Sequence, residues 1–393
     1  MERMQKRGKV IMDENAKPVL VIGGGIAGIT SALEAELGTT TEPADTHPTD
    51  NLEAYQAYLK GRYLLNKRGP DNMLKAHEQF EEATRLDPAF AKAWSDMAFN
   101  YALLSSYSVE ITTQQGWEIV QAAANRALQL DPKNAEAYVA LARIDIQDDL
   151  KTIQGFYEKA YELAPENPDV VNLYGDFLTI IGDFKAAERV EQEAIELDPL
   201  AAVHHSDMAI LMYMLQRNED GLNYGRTSAS LEPDSAFRTD PQITGLILTG
   251  QYEEAEKLIE GFVQRTDSEE DLYNGWQCLL YYQVGDERKL REKVSERLEG
   301  IASGSGHFDL TFTAFFVSWL DGADAALPIL RAAYETNEFN LEWPLYFYLP
   351  EDVSDDPEWL AFWQQPRLAE LIALRRANKT QDHIGLWKER PPP

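Results

Sequence analysis

The amino-acid sequence predicts an all-α fold, a right-handed solenoid of antiparallel helix pairs that follows a short N-terminal βα unit. The first observation is a repeated helix-ending signal, a leucine followed two residues later by a proline, with the prolines at Pro88, Pro132, Pro165, Pro199 and Pro233. The second is the spacing of these prolines, 44, 33, 34 and 34 residues, which is typical of stacked helix pairs. The third is the placement of small and large side chains within each period.

The period that begins at Pro168 shows this placement most clearly. Tyr174 and Gly175 lie on its first predicted helix, and Ala187 and Ala194 lie on its second. Small residues let the two helices approach closely, and large residues fill the space between neighbouring pairs. A proline then ends each second helix, because it has no amide hydrogen and disfavours a helical conformation in the residue before it.

The repeats divide the chain into five regions. Residues 1–38 hold the βα unit, 39–48 a polar linker, and 49–335 the solenoid of about eight helix pairs, the last three degenerate. The first interval is longer by about ten residues, which an extended turn over 105–116 absorbs. Residues 336–378 are rich in aromatic residues and prolines, which predicts a cap over the open end of the solenoid. Residues 379–393 are expected to be a flexible tail.

Composition excludes several function classes. The 393 residues include 36 Lys and Arg against 66 Asp and Glu, a formal net charge of −30, which repels nucleic acids and anionic membranes. The single cysteine excludes an internal disulfide framework and a multi-thiolate zinc site. No histidine spacing indicates a metal site, and no apolar run reaches the length of a membrane span. We therefore expect a cytoplasmic protein without a bound metal.

The glycine-rich segment near the N-terminus carries the one motif associated with cofactor chemistry. Gly23, Gly25 and Gly28 form a G-x-G-x-x-G pattern after an apolar strand, as in the first βα turn of a dinucleotide-binding fold. Over about 22 residues the segment resembles the entry of flavin-dependent oxidoreductases, which implies binding of FAD. Residues 39–48 contain no second strand to present an acidic residue to the ribose.

Two interpretations of that segment remain open beside nucleotide binding. We expect an orphan βα unit that binds no cofactor. Alternatively, residues 29–38 resemble the helix that precedes helical repeats in signalling proteins, and the glycines are then coincidental. The competing hypothesis is a fragment of an oxidoreductase that binds FAD or NAD through Gly23, Gly25 and Gly28.

The period and its small-residue positions resemble those of the tetratricopeptide repeat (TPR) family. From about Thr49 onward the chain is similar to the C-terminal TPR region of bacterial signalling proteins, including adenylate or guanylate cyclases and winged-helix regulators. Residues 49–55, 58–63 and 349–359 carry this similarity. The resemblance implies a non-catalytic region that binds other proteins.

The resemblance also implies which side chains line the concave groove, because the second, fifth, ninth and twelfth places of each first helix do so in TPR proteins. The predicted partner-binding residues are Ser95, Phe99, Tyr138, Asp145, Asp169, Asn172, Asp176, Thr179, Ser206 and Tyr213. They include no Lys or Arg that would hold a terminal carboxylate. The mixture of aromatic, acidic and amide groups favours a partner segment with basic and apolar residues, while simple solvation of these positions remains the alternative.

Taken together, the sequence predicts a protein–protein interaction scaffold with no enzymatic activity, in bacterial signalling or regulation. A first alternative is the oxidoreductase fragment. The second is a regulatory module for a separately encoded cyclase or transcription regulator.

Overall fold

The computed structural model describes residues 48–67, 69–104, 113–144, 150–263, 270–303, 310–335 and 353–378. These ranges contain helices and turns and no strand, in agreement with the predicted all-α helix-pair array. The predicted βα unit with Gly23, Gly25 and Gly28, and the predicted tail at 379–393, lie outside the described residues.

The described residues form eighteen helices. They are α1 (Leu52–Asn66), α2 (Pro70–Leu86), α3 (Ala91–Leu104), α4 (Thr113–Leu130), α5 (Ala135–Ile144), α6 (Leu150–Leu163), α7 (Pro168–Ile180), α8 (Phe184–Leu197), α9 (Ala202–Met214), α10 (Asn218–Leu231), α11 (Ala236–Leu248), α12 (Tyr252–Val263), α13 (Glu270–Val284), α14 (Glu287–Ser303), α15 (Leu310–Asp321), α16 (Ala323–Glu335), α17 (Pro357–Phe362) and α18 (Pro366–Ala377). Helices α1 to α16 make eight consecutive pairs. Among the described residues, no helix has the length and apolar character needed to cross a membrane.

Local sequence signals set the ends of these helices. The second helices α2, α4, α6, α8 and α10 all end at the leucine of the predicted helix-ending signal. At the start of α7, the Asn167 side chain accepts hydrogen bonds from the backbone amides of Asp169 and Val170, and Pro168 occupies the first helical position. Gly182, with φ of 79°, makes the tight turn from α7 into α8, a conformation that other residues rarely adopt.

The pairs stack so that first and second helices form two layers. Each first helix contacts the first helix of the next pair from α1 to α15, and these contacts are more extensive than those between successive second helices. The more closely spaced layer lies on the inside of a curved array. The odd-numbered helices α1 to α15 therefore form the inner, concave face.

Within a pair, a glycine on the first helix makes room for a side chain of the second. In the first pair, a Cβ atom at Gly61 would lie 2.6 Å from the Phe80 ring, far inside van der Waals contact. Phe80 is fully buried and lies between Ala76 and Ala83 on α2. The ring fills the space between the two helices, which is the packing that the small-residue pattern predicts.

The C-terminal segment continues the core and then returns to the middle of the array. Trp359 and Trp363 are buried, and the Phe362 ring meets that of Tyr334 on α16 edge to face, with ring centroids 6.1 Å apart. Helix α18 then contacts α6. The sequence predicts a cap at the end of the solenoid, and the contact with α6 is an additional feature that the repeat pattern does not encode.

Helix α18 is held by the ends of two distant helices. The Glu370 carboxylate accepts a hydrogen bond of 3.0 Å from the Leu150 amide at the N-terminus of α6. At the C-terminus of α7, Arg375 Nε donates to the carbonyl oxygen of Ile180 at 2.9 Å, and Asn378 Nδ2 donates to that of Ile181 at 3.1 Å. A negative charge at a helix N-terminus and a positive charge at a C-terminus are both favourable. These contacts fix the position of α18 on the third and fourth pairs.

We predict that Arg375→Ala lowers the free energy of unfolding by about 1.5–3 kcal/mol, because a buried charged donor and its hydrogen bond are both lost. Amide hydrogen exchange at residues 180–182 should accelerate in this variant. The neighbouring Arg376 is exposed, and Arg376→Ala serves as the matched control. Equal loss of stability in the two variants would show that the docking contact is not what holds α18.

Candidate functional site

Polar side chains join consecutive first helices along the inner face. We call this set the inner-face polar network, and it comprises Arg62, Lys92, Asp96, Glu136, Asn167, Asn172, Asp207, Asp240 and Trp276. Its contacts join the first helices from α1 to α9, and a further contact joins α11 to α13. These side chains lie on the layer that a partner in the concave groove would meet. Its two halves differ in charge balance.

In the N-terminal half, each cation meets a carboxylate. Arg62 Nη1 lies 3.0 Å from Asp96 Oδ2, and Lys92 Nζ lies 2.9 Å from Glu136 Oε1. Asn167 Nδ2 adds a hydrogen bond of 3.2 Å to the same Glu136 oxygen. Burial alone would raise the pKa of Glu136, but Lys92 outweighs it, and the pKa falls to about 2. Each charge here thus lies beside an opposite charge, although Asp96 Oδ1 accepts no hydrogen bond from the described residues.

In the C-terminal half, carboxyl groups meet one another. Asn172 Nδ2 on α7 donates to Glu191 Oε2 on α8 at 3.0 Å and to Asp207 Oδ2 on α9 at 2.9 Å. Asp176 lies one turn after Asn172 on α7. We call Asp176, Glu191 and Asp207 the carboxylate cluster. It draws one residue from each of three helices in two consecutive pairs.

The electrostatics of the carboxylate cluster differ from those of an ion pair. Burial, then the charge of Asp207, raise the pKa of Asp176 to about 7, although Arg143 on α5 acts in the opposite direction. The pKa of Glu191 is raised well above its ordinary value, first by burial and then by Asp207 and Asp176. Such shifts mark a place where negative charge lacks compensation, as functional sites often do.

Glu191 is the most deeply placed member of the carboxylate cluster. Its side chain is fully buried, and its Oε1 atom accepts no hydrogen bond from any residue in the described part of the chain. A Cβ atom at Gly175 would lie 2.5 Å from that oxygen. The glycine therefore gives the carboxylate the space to reach between the helices of its pair toward Asp176 and Asp207.

The structure places the predicted groove residues at different depths. Tyr138, Asp169 and Asp176 are half-buried, and Asp145 lies outside the described residues. The other six are buried: Ser95, Phe99, Asn172, Thr179, Ser206 and Tyr213. Contact of all these residues with a partner stays a prediction.

Several of the buried groove residues make hydrogen bonds, either between helices or within one helix. Asn134 Nδ2 donates to Ser95 Oγ at 3.0 Å, and Thr179 Oγ1 donates to the Gly175 carbonyl at 3.0 Å. The Tyr213 hydroxyl donates to the carbonyl oxygen of Pro241. As placed, the half-buried Tyr138, Asp169 and Asp176 are the members open to a partner.

The remaining residues of the site, among them Arg62, Lys92 and Glu191, are not predicted from the sequence. Arg62 and Lys92 place cations on the inner face, yet both are in ion pairs and so are not a clamp for a partner's carboxylate. Glu191 did carry a sequence signal. It stands between Ala187 and Ala194 on the apolar stripe of α8, where a charged residue breaks the helical pattern.

The carboxylate cluster is not a metal site by geometry. Within the described ranges, no group of three or more His, Cys, Asp or Glu side chains is arranged to hold a metal ion. His204 and His205, the adjacent pair on α9, place one ring nitrogen each at 3.3 Å and 3.0 Å from the carbonyl oxygens of Asp198 and Pro199. Both imidazoles are buried and contact the backbone of the preceding turn.

Comparisons with known proteins place the chain among helical repeat proteins. No protein-family model matches it. The chain is 22% identical over 211 residues to the transcriptional regulator HilA of Salmonella typhimurium, a match that covers 53% of this chain and 38% of HilA. The chain thus spans about two fifths of the length of this relative.

Solved structures resemble the chain at lower identity. The human IFIT1 dimer with m7Gppp-AAAA is 13% identical and has a TM-score of 0.50, with 79% of this chain and 77% of that chain covered. A TPR protein of Thermus thermophilus is 15% identical and has a TM-score of 0.39, with 52% of this chain and 99% of that chain covered. Likenesses at this level of identity show the fold alone.

We predict that Asp176→Asn stabilises the protein more at pH 8 than at pH 5. The pKa of Asp176 rises from an ordinary value of 3.8 to about 7 on folding, so its contribution to stability is present below 3.8 and is lost as the pH rises toward 7. Asparagine cannot ionise and removes this loss. After discounting for partial exposure, the gain in unfolding free energy should be about 1–2 kcal/mol larger at pH 8.

Denaturant titrations at the two pH values measure this difference. Asp234→Asn, at an exposed position with the same change of charge, is the matched control. A gain for Asp176→Asn that does not depend on pH would contradict the assignment of the raised pKa to Asp176.

Proposed function

We propose that this protein, an array of tetratricopeptide repeats, is a non-catalytic scaffold that binds a segment of another protein on its inner face. TPR arrays bind proteins and peptides through such faces, and the proposal assigns the role to helices α7 to α11. The proposal includes the bacterial signalling or regulatory role and the cytoplasmic location expected from the sequence.

The observation that carries the proposal is the uneven charge of the inner face. Asp169, Asp176, Asp207 and Asp240 follow one another on α7, α9 and α11, and all are half-buried. The cations of the inner-face polar network, Arg62 and Lys92, lie on α1 and α3 instead. Complementary potentials steer association and select partners. We therefore expect a partner segment with basic side chains opposite α7 to α11.

The same face offers apolar contacts beside the acidic ones. Ile210 and Met214 follow Asp207 by three and seven residues on α9, and both are half-buried. Residues at these spacings share one stripe of a helix surface. An extended or helical segment that alternates basic and apolar residues would match this stripe.

The similarity to HilA favours a regulatory context. It supports the proposal that the array works as a regulatory module, together with a separately encoded transcription regulator or cyclase. Because the match covers 38% of HilA, the activity of that whole protein is not carried over. The oxidoreductase hypothesis rests on Gly23, Gly25 and Gly28, which lie outside the described residues, and no structural observation adds to it.

Selection from a phage-displayed library of random peptides tests the proposal. We expect the selected peptides to be rich in Lys, Arg and apolar residues and to bind more weakly as the salt concentration rises. Asp207→Lys, which reverses a charge of the inner face, should weaken binding at least about tenfold, an expected loss of about 1.4 kcal/mol.

Glu196→Lys provides the matched control, because Glu196 is exposed on α8, in the outer layer. Neutral or acidic selected peptides, or equal effects of the two reversals, would count against binding on the inner face. Failure of every selected peptide to bind the purified protein would reject the proposed function itself.

A further inference from the structure

A carboxylate in the fourth pair occupies the place that an aromatic ring occupies in the first. Phe80 stands between Ala76 and Ala83 and packs on Gly61; Glu191 stands between Ala187 and Ala194 with the same spacings and packs on Gly175. Both side chains are fully buried. Each of the two pairs thus has the same slot between its helices. An aromatic ring fills the slot in the first pair, and a carboxylate fills it in the fourth.

A carboxylate in this slot stabilises the fold less than an aromatic ring does. A buried charge is costly unless it is paired and hydrogen-bonded. Glu191 Oε2 accepts one hydrogen bond, from Asn172, and Oε1 accepts none from the described residues. Its charged neighbours, Asp207 and Asp176, repel a negative charge. Departures from good packing that have no local compensation are expected at functional positions.

The carboxylate cluster extends from this buried slot toward the groove. Asp176 and Asp207 lie on the first helices α7 and α9 and are half-buried, while Glu191 reaches them from the second helix α8. Asn172 holds Glu191 and Asp207 through one amide nitrogen. Arg143 is the cation that partly opposes the rise in the pKa of Asp176, and it also hydrogen-bonds Tyr157. With three carboxyl groups and one nearby guanidinium, the cluster carries negative charge that a second cation would compensate.

We propose that Asp176, Glu191 and Asp207 form a pocket that receives an arginine side chain of the partner from the groove. The inference rests on the proposed function and names the side chain that this part of the inner face recognises. A guanidinium carries five donors in a plane, and it is more weakly hydrated than an ammonium. It can therefore donate to Glu191 Oε1 and to the half-buried carboxylates of Asp176 and Asp207 together, at a smaller desolvation cost than lysine.

Short synthetic peptides test the pocket directly. The probe is a capped peptide with one arginine between alanines, and its analogues carry lysine or citrulline at that position. Isothermal titration calorimetry at low ionic strength should show saturable binding of the arginine peptide. Binding of the lysine peptide should be several-fold weaker, and the neutral citrulline peptide should show no binding.

Substitutions at Glu191 assign the binding to the pocket. Glu191→Gln should weaken binding of the arginine peptide at least about tenfold, since glutamine keeps the shape but cannot ionise to pair with the guanidinium. Glu196→Gln makes the same change of charge on the exposed side of α8 and should leave binding unchanged. Because a buried substitution can impair folding, Glu191→Phe is a second variant. It copies the first pair and should raise the melting temperature while abolishing binding.

Three results would overturn the pocket: wild-type affinity for the arginine peptide in Glu191→Gln or Glu191→Phe, equal binding of the citrulline peptide, or no binding of the arginine peptide to the wild type. Equal binding of lysine and arginine would overturn the choice of arginine. These outcomes are separable from failure of the proposed function. If the library-selected peptides bind wild type and Glu191→Phe equally well, the scaffold function stands and the pocket does not.

Discussion

The contact between the first helices of consecutive pairs is the constraint on which the rest of the structure depends. Each pair buries its apolar side chains against its neighbours, and the closer spacing of the first helices makes them the inner layer. Polar side chains on that layer are brought within hydrogen-bonding distance of the next helix. Repetition therefore produces an inner face whose polar groups are shared between pairs, with Asn167 and Asn172 as examples.

That face changes character along the array. Near the N-terminus, Arg62 and Lys92 neutralise the carboxylates they meet, so this half contributes to cohesion between repeats. From α7 onward the carboxylates accumulate without matching cations in the inner-face polar network. The acidic residues behind the net charge of −30 thus do not all lie on the solvated outer surface, because several of them lie on the inner face. Helix α18 docks at the ends of α6 and α7, where Glu370 contacts Leu150 and Arg375 contacts Ile180.

The sequence predicts the repeats better than it predicts the site. Helix ends are encoded locally, and the leucine–proline signals mark the last residues of α2, α4, α6, α8 and α10. The depth of a side chain depends on the neighbouring pair, so Asn172 and Tyr213, at groove places by counting, are buried. Glu191 shows as a break in the apolar stripe, but its partners lie on two other helices. The contact between Arg375 and Ile180 joins residues far apart in sequence and has no local signal.

In the proposed complex, Glu191 and an arginine of the partner interact directly at the carboxylate cluster. A double-mutant cycle that combines Glu191→Gln with replacement of the peptide's arginine by citrulline measures that interaction and cancels effects of each change alone. We predict a coupling free energy of about 1.5 kcal/mol or more, as is usual for close charged pairs. Additive effects, with a coupling free energy near zero, would contradict it.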